Sequence, residues 1–291
     1  MKPAPFEYFC PATLDEAMAL LAQNGSDAKP LAGGQSLVPA MNFRLATPAV
    51  LVDLNALTDL AHITVGEDSI RIGAMTRHCA LERSALVARE LPLVAQTMPF
   101  VAHAAIRARG TIGGSLAHAD PAAELPAVML ALRATVKLQS RDAIRFVPAA
   151  DFFTGLFSTA MDPGEVLTEV AVPRARGRMG YAFDEISRLR GDFALVGVAA
   201  AVAVDASGTC TTARAALVSV ADRPILSEQV SRALVGQRPS AALIRDAAES
   251  AASTDIDPPG DIHASSRYRR RLAAVLTRRV LERAFQSLES A

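Results

Sequence analysis

Residues 31–37 read Leu-Ala-Gly-Gly-Gln-Ser-Leu, and residues 111–116 read Thr-Ile-Gly-Gly-Ser-Leu. Each has an apolar lead-in, a glycine doublet, and hydroxyl or amide side chains directly after it. Glycine reaches positive φ without a Cβ penalty, so successive main-chain N–H groups can converge on one concave site that binds anionic oxygen. Two such nests suit a ligand with two phosphates, such as a dinucleotide. The second doublet also leads towards Asp120-Pro121, read as the N-cap and first residue of an apolar helix through Leu132. The positive end of that helix dipole favours an anion. The alternative reading is two tight turns that use glycine for steric reasons.

Working outward from the first doublet, Thr13-Leu14-Asp15-Glu16 fits a capping box, and Leu14, Ala17, Met18 and Leu21 then share one helical face. Asn24-Gly25 stops that helix. Ala49 to Leu54 is a buried strand between Pro48 and Asn55, and Ser69 to Gly73 alternates as another. Thr76 to Val101 reads as helical, broken by Pro92 and Pro99. Beyond the second doublet, Ala134–Gln139 and Ile144–Val147 pair as a hairpin, and Val166–Val172 ends at Pro173. The polar, glycine-containing run Arg174 to Gly180 marks a domain boundary, giving domains 1–175 and 176–291. The second domain has three strands (Gly180–Ile186, Ala194–Val204, Thr212–Val220), then helices over Leu226–Val235, Ala241–Ser253 and His263–Leu288. Strands followed by helices make it α+β.

The chain has 291 residues, 51% hydrophobic and 21% charged, which is a globular composition. Thirty basic residues balance thirty acidic ones, which argues against a nucleic-acid binder. Cys10, Cys79 and Cys210 lie far apart, so no zinc ribbon or cysteine-ligated iron–sulfur cluster is expected within this chain. The sparse cysteines read as cytoplasmic and reduced. Neither a signal peptide nor a transmembrane segment is expected, the longest apolar run being Ala194–Val204. There is no G-x-G-x-x-G, P-loop, H-E-x-x-H or G-x-S-x-G, and His62, His78, His103, His118 and His263 are scattered. With no nucleophile, metal site or acid/base dyad in view, a cofactor must carry any chemistry. The arginines at 267, 269, 270, 271, 278 and 279 read as a solvated helix face, or in part as a contact for an acidic partner.

Larger blocks then carry a resemblance. They are Ala32 to Pro39, Met41 to Ala46, Val52 to Asn55, Ile106-Arg107, Arg109 to Pro121, Ala123 to Ala127, Gly191 to Val196, Asp261 to Ser265 and Tyr268 to Arg270. In that order they resemble the flavoprotein (medium) subunit of molybdenum hydroxylases, the group that includes carbon monoxide dehydrogenase and xanthine dehydrogenase. The resemblance implies an α+β fold: a two-subdomain FAD-binding domain of the vanillyl-alcohol-oxidase (PCMH) type, then a smaller C-terminal α+β domain with a three-stranded antiparallel sheet. It implies that Ala32, Gly33, Gly34, Gln35, Ser36 and Leu37, with Thr111, Ile112, Gly113, Gly114 and Ser115, hold the FAD pyrophosphate. Ser115 stands where relatives often have Asn. Glu124 falls where the family places an acid near the ribityl and phosphate region; the other reading is a solvated first-turn residue. Lys29 is a candidate for charge near the phosphates, Leu167 and Phe183 for packing on the flavin, and Phe193 for stacking on or shielding it.

The implied function is electron transfer. A large subunit carries the molybdenum cofactor, a small subunit carries two [2Fe-2S] clusters, and this chain passes electrons through FAD to a quinone, cytochrome or NAD. The assembly is expected to be a dimer of heterotrimers in the cytoplasm, its contact with the inner face of the membrane made through the acceptor. Two alternatives stand beside it: a stand-alone FAD oxidoreductase with its own substrate site, and a non-enzymatic module whose doublets are only turns.

Overall fold

The structure, a computed structural model, describes residues 1–289. Its first α-helix spans Leu14–Asn24. Thr13 Oγ1 accepts the Glu16 amide at 3.2 Å, and Glu16 Oε2 accepts the Thr13 amide at 3.3 Å, so two helix-end donors are satisfied reciprocally. Ala17, Met18 and Leu21 form its buried face, and Gly25 ends it at φ 52°. That face covers a small parallel sheet in which Val50–Asp53 lies between Glu7–Phe9 and Ala28–Leu31. All four residues of the central strand are buried, as a strand covered on both faces requires.

The second subdomain is a five-stranded antiparallel sheet: Ile63–Val65, Ser69–Gly73, Val166–Pro173, Thr135–Gln139, Ile144–Pro148. The helical stretch ahead of the second doublet divides into His78–Arg83, Ala85–Glu90 and Pro92–Thr97. Pro92 opens the third of these, where its missing N–H costs nothing. The apolar helix spans Glu124–Ala131, all eight residues buried. It therefore starts four residues later than Asp120: the Ala123 amide closes a turn onto the Asp120 carbonyl at 3.0 Å, and Ala123 is itself extended (φ −79°, ψ 140°), so helical backbone begins only after it.

The C-terminal sheet has four strands rather than three: Met179–Ser187, Ala194–Val204, Cys210–Val218 and Ile225–Leu226. The added pair bonds to Ala216 and Leu217, and two residues are too few to show a period in sequence. One face, with Phe183, Ala199, Ala216 and Val218, joins the core of the five-stranded subdomain. The other, with Ala182, Val198, Ala200 and Val202, packs on helices Glu228–Leu234, Ala241–Ser250 and Ser266–Glu289. The long helix comes so close that a Cβ on Gly180 would lie 2.0 Å from the Ala284 carbonyl oxygen.

Two of the clustered arginines are fasteners rather than solvated charges. Arg269, buried, donates to the Leu195 carbonyl and to Asp261 Oδ2, both at 2.6 Å. Arg270 donates to the carbonyls of Ala252 and Ile256, both at 2.9 Å. Arg269→Ala leaves the Leu195 carbonyl without that donor and removes a charge-assisted pair. It is expected to cost about 2–3 kcal/mol, read as a lowered midpoint in urea unfolding.

Candidate functional site

The two glycine segments lie against each other. A Cβ on Gly33 would sit 2.5 Å from the Arg109 carbonyl oxygen and 2.7 Å from Gly110 Cα. A Cβ on Gly114 would meet Thr111 Oγ1 at 2.9 Å and Ala32 Cβ at 3.5 Å. A polar clamp holds this contact. Asn55 Nδ2 donates to the Ala32 carbonyl at 2.9 Å, and Arg77 donates to Asn55 Oδ1 at 2.5 Å and to the Arg109 carbonyl. Asp53 orients Asn55 by accepting its amide at 2.8 Å, and Tyr8 Oη donates to Asp53 at 2.5 Å. That bond pushes the Tyr8 phenol up to about 12. Sequence reading did not single out Asn55 or Arg77 as site residues; Asn55 entered as the end of a strand and inside a family block.

The doublets are not equivalent. Gly34 takes φ 71°, and the amides of Gly33, Gly34, Gln35 and Ser36 have no acceptor among the described residues. Gln35 Nε2 folds back onto the Gly33 carbonyl at 3.0 Å, and Leu37 begins a short helix. The second doublet lies inside helix Ile112–His118, capped by Thr111, whose Oγ1 accepts the Gly114 amide at 3.1 Å. Ile112, Gly113 and Ser115 donate to Thr76, Ala74 and Thr111 carbonyls. The second nest is therefore absent: those amides are spent within the fold. Its glycines serve close approach instead, Gly113 to Ala74 and Gly114 to the first segment.

The remaining candidates scatter in role. Lys29 is exposed on the edge strand Ala28–Leu31. Leu167 is buried in the main core, and Phe183, 1% exposed, packs edge-to-face on Phe100 with ring centroids 5.1 Å apart. Neither offers free surface. Glu124 lies in the first turn of its helix, as read, but is buried rather than solvated. Burial, then the charge of Asp120, pushes its carboxyl up to about 7. A second acid had no sequence signal. Glu185 points from the C-terminal sheet across the domain seam; it is buried, and its Oε2 has no partner. Burial, then Glu124 and Asp184, pushes it up to about 8. His78 lies beneath Gly110, and burial holds its imidazole neutral, down to about 4.

Phe193, 67% exposed, stands at the edge of a cleft of about 850 Å³ between the domains. Its loop is anchored by Arg188–Asp192 at 3.1 Å and by Gly191, whose φ of 80° lets the chain pass directly over His103. The cleft begins at Asp120, Pro121 and Ala122, immediately beyond the second doublet's helix.

A family model described as the FAD binding domain in molybdopterin dehydrogenase matches residues 4–175. Another, the CO dehydrogenase flavoprotein C-terminal domain, matches residues 181–284. The chain belongs to this flavoprotein family. It is 41% identical over 98% of its length to the 6-hydroxypseudooxynicotine dehydrogenase complex subunit alpha of Paenarthrobacter nicotinovorans, covering 96% of that protein. It is 39% identical to the carbon monoxide dehydrogenase medium chain of Afipia carboxidovorans, covering 98% of each. A solved carbon monoxide dehydrogenase from Hydrogenophaga pseudoflava superposes with a TM-score of 0.96 at 36% identity, covering 99% of each chain. Quinoline 2-oxidoreductase from Pseudomonas putida 86 gives 0.93 at 39% identity, again covering 99% of each. The protein is thus a medium, FAD-binding subunit of a molybdenum hydroxylase, and no helix among its described residues is long and apolar enough to cross a membrane. The site fits that cofactor. Free amides around a glycine with no Cβ suit a diphosphate, and buried carboxyl groups suit hydroxyl donors.

Gly33→Ala is expected to force the segments apart and lower FAD retention at least tenfold, read from the flavin absorbance of purified protein. Asn55→Ala is expected to weaken retention less, since Arg77 still holds Arg109. The acids set a pH dependence. Both fold with raised pKa values, so the unfolded chain releases their protons first, and stability falls as pH rises from about 4.5 to about 8. Glu185→Gln is expected to flatten that fall by about 3 kcal/mol in unfolding free energies from urea titrations at pH 5.5 and 8.5.

Proposed function

We propose that this chain passes electrons from partner iron–sulfur clusters through FAD to an external acceptor. FAD, when bound, takes up electrons singly and releases one or two, which is what a link between one-electron clusters and a two-electron acceptor requires. The chain's own residues bind and shape. Gly33, Gly34, Gln35 and Ser36 present amides to the diphosphate, and Leu37 closes the segment. Thr111, Ile112 and Gly113 brace the wall opposite, where Gly114 gives clearance and Ser115 offers a hydroxyl. Glu124 accepts from the ribityl chain, and Phe193 covers the ring system from solvent. Lys29, Leu167 and Phe183 take no direct part.

Membership of the medium-subunit family over nearly the whole chain supports this reading most strongly. A relative's name describes it as a subunit of a dehydrogenase complex, which supports a molybdenum-binding large subunit and a [2Fe-2S] small subunit as partners here, assembled as a dimer of trimers. The reading places the complex in the cytoplasm and the domain boundary at residues 175–176. Co-expression with the neighbouring large and small subunits tests it. The expected product is one complex with molybdenum, iron and FAD in the ratio 1:4:1 per trimer. Substrate should bleach the flavin in that complex and not in the isolated chain. Turnover by the isolated chain alone would refute it.

A further inference from the structure

We infer that Arg133 and Arg214, with the Tyr181 phenol beside them, form a binding site for a phosphate-class dianion, at the end of the domain seam away from Glu124. The site is independent of the electron-transfer reading and goes beyond it. Sheet register builds it. Ala201, fully buried, pairs with Tyr181 on one side and Arg214 on the other, so the three share the seam face of the C-terminal sheet. The small methyl group between them leaves room for the two long side chains to interact across two strand spacings, roughly 10 Å. Arg133 comes from the helix packed over this face. Helix Glu124–Ala131 lies on the second and third strands, and Arg133 follows its last turn. Glu124 opens that helix, roughly 13 Å away along its axis. Glu185 lies four residues from Tyr181 on the same strand, also roughly 13 Å away. The cluster is thus separate from the acids placed near the cofactor.

Two charges of one sign sit together here without a counter-charge. Burial, then the charge of Arg133, lowers the Arg214 guanidinium from its ordinary value, and no carboxylate acts on it. Its Nε is buried without a hydrogen-bond partner. Neither arginine enters an ion pair among the described residues. Like charges this close repel, and a buried donor left unpaired costs free energy. The helix end does not supply the missing negative charge. The Arg133 and Ala134 amides already occupy the Leu130 and Met129 carbonyls, at 3.1 and 2.9 Å. Arg133 is also held at φ 55°, the position past a helix end where glycine is favoured, so its Cβ carries a strain that glycine would avoid. Such strain points to a use for the guanidinium at its end. Guanidinium forks take phosphate oxygens through parallel N–H donors, and a phenol adds one donor more. Two positive charges match a dianion, whereas a monocarboxylate would balance only half of them.

The test is isothermal titration calorimetry of the FAD-loaded full chain with inorganic phosphate, AMP and acetate, in chloride buffer at constant ionic strength. FAD content is read in every sample, so that failure of flavin binding is separate from failure of anion binding. Saturable phosphate binding is expected, with a dissociation constant of about 1 mM or tighter, and acetate is expected to bind at least tenfold more weakly. AMP and inorganic phosphate carry the same dianion. Binding of either supports the site, and the tighter of the two shows whether the dianion arrives free or on a larger molecule. Arg133→Gly separates binding from folding. It should abolish phosphate binding and leave the urea midpoint in phosphate-free buffer unchanged or higher, because glycine takes φ 55° without strain. Arg214→Gln should weaken phosphate binding at least tenfold. Any of four results would overturn the inference: no saturable binding of phosphate or AMP, phosphate binding unchanged by either substitution, binding only to FAD-free chain and displaced by FAD, or loss of binding on assembly with partner subunits. The third would assign the arginines to the cofactor, and the fourth to a carboxylate on a partner subunit.

Discussion

Two stretches of main chain, far apart in sequence, touch at Gly33 and Arg109–Gly110 with no room for a single methyl group. Most of the site depends on this contact. Because the segments abut, one amide from Asn55 and one guanidinium from Arg77 can reach both. The second segment's amides are tied into helix and loop bonds. The first segment's amides have no acceptor among the described residues. Unpaired main-chain donors of this kind are costly inside a protein unless water or a ligand pairs with them. The geometry thus separates a wall from a binding surface, although the two sequences look alike.

A second constraint lies at the domain seam. The C-terminal sheet is apolar on both faces, one face towards the FAD-binding domain and the other towards its own helices. A sheet covered on both faces holds its partner layers together, and Phe193 lies on the loop that joins its first two strands. Glu124 and Glu185 meet within that seam. Neither has a cation among the groups that shift it; each faces other acids. Buried acids without a cationic partner stay protonated or take hydrogen-bond donors from a ligand. Both outcomes suit a site that receives a polyol.

The sequence made the architecture legible wherever a period or a cap was long enough to register. The capping box at Thr13–Glu16, the strand at Val50–Asp53 and the apolar run Ala194–Val204 fall where their patterns put them. Asp120 misled because a side chain that accepts the second amide after it does so equally in a helix cap and in a turn, and only the extended backbone of Ala123 decides which. Ile225–Leu226 is too short for any pattern. In the site, glycine doublets signalled close backbone approach correctly, but composition does not distinguish positive φ from a helical glycine pressed against a neighbour. Gly34 is the first kind and Gly113 the second. Asn55, Arg77 and Glu185 are ordinary residues in sequence. Their roles come from long-range contacts that no local window contains.

The arrangement also accounts for the lack of a nucleophile, metal triad or acid/base dyad in the sequence. On the proposed function, a subunit that relays electrons has no bond of its own to break. What it must supply is a fixed distance, a chosen environment and controlled access, each of which is a matter of packing. The fixed distance comes from the Asn55–Arg77 clamp. On that reading, the environment comes from buried Glu124 and Glu185. Access comes from the Arg188–Asp192 pair and Gly191, which hold the Phe193 loop over His103. Each of these elements is built from side chains that would be unremarkable elsewhere in a fold, and on the proposed function each acts on the cofactor only through position. Substitutions that change position are therefore expected to matter more than substitutions that change charge.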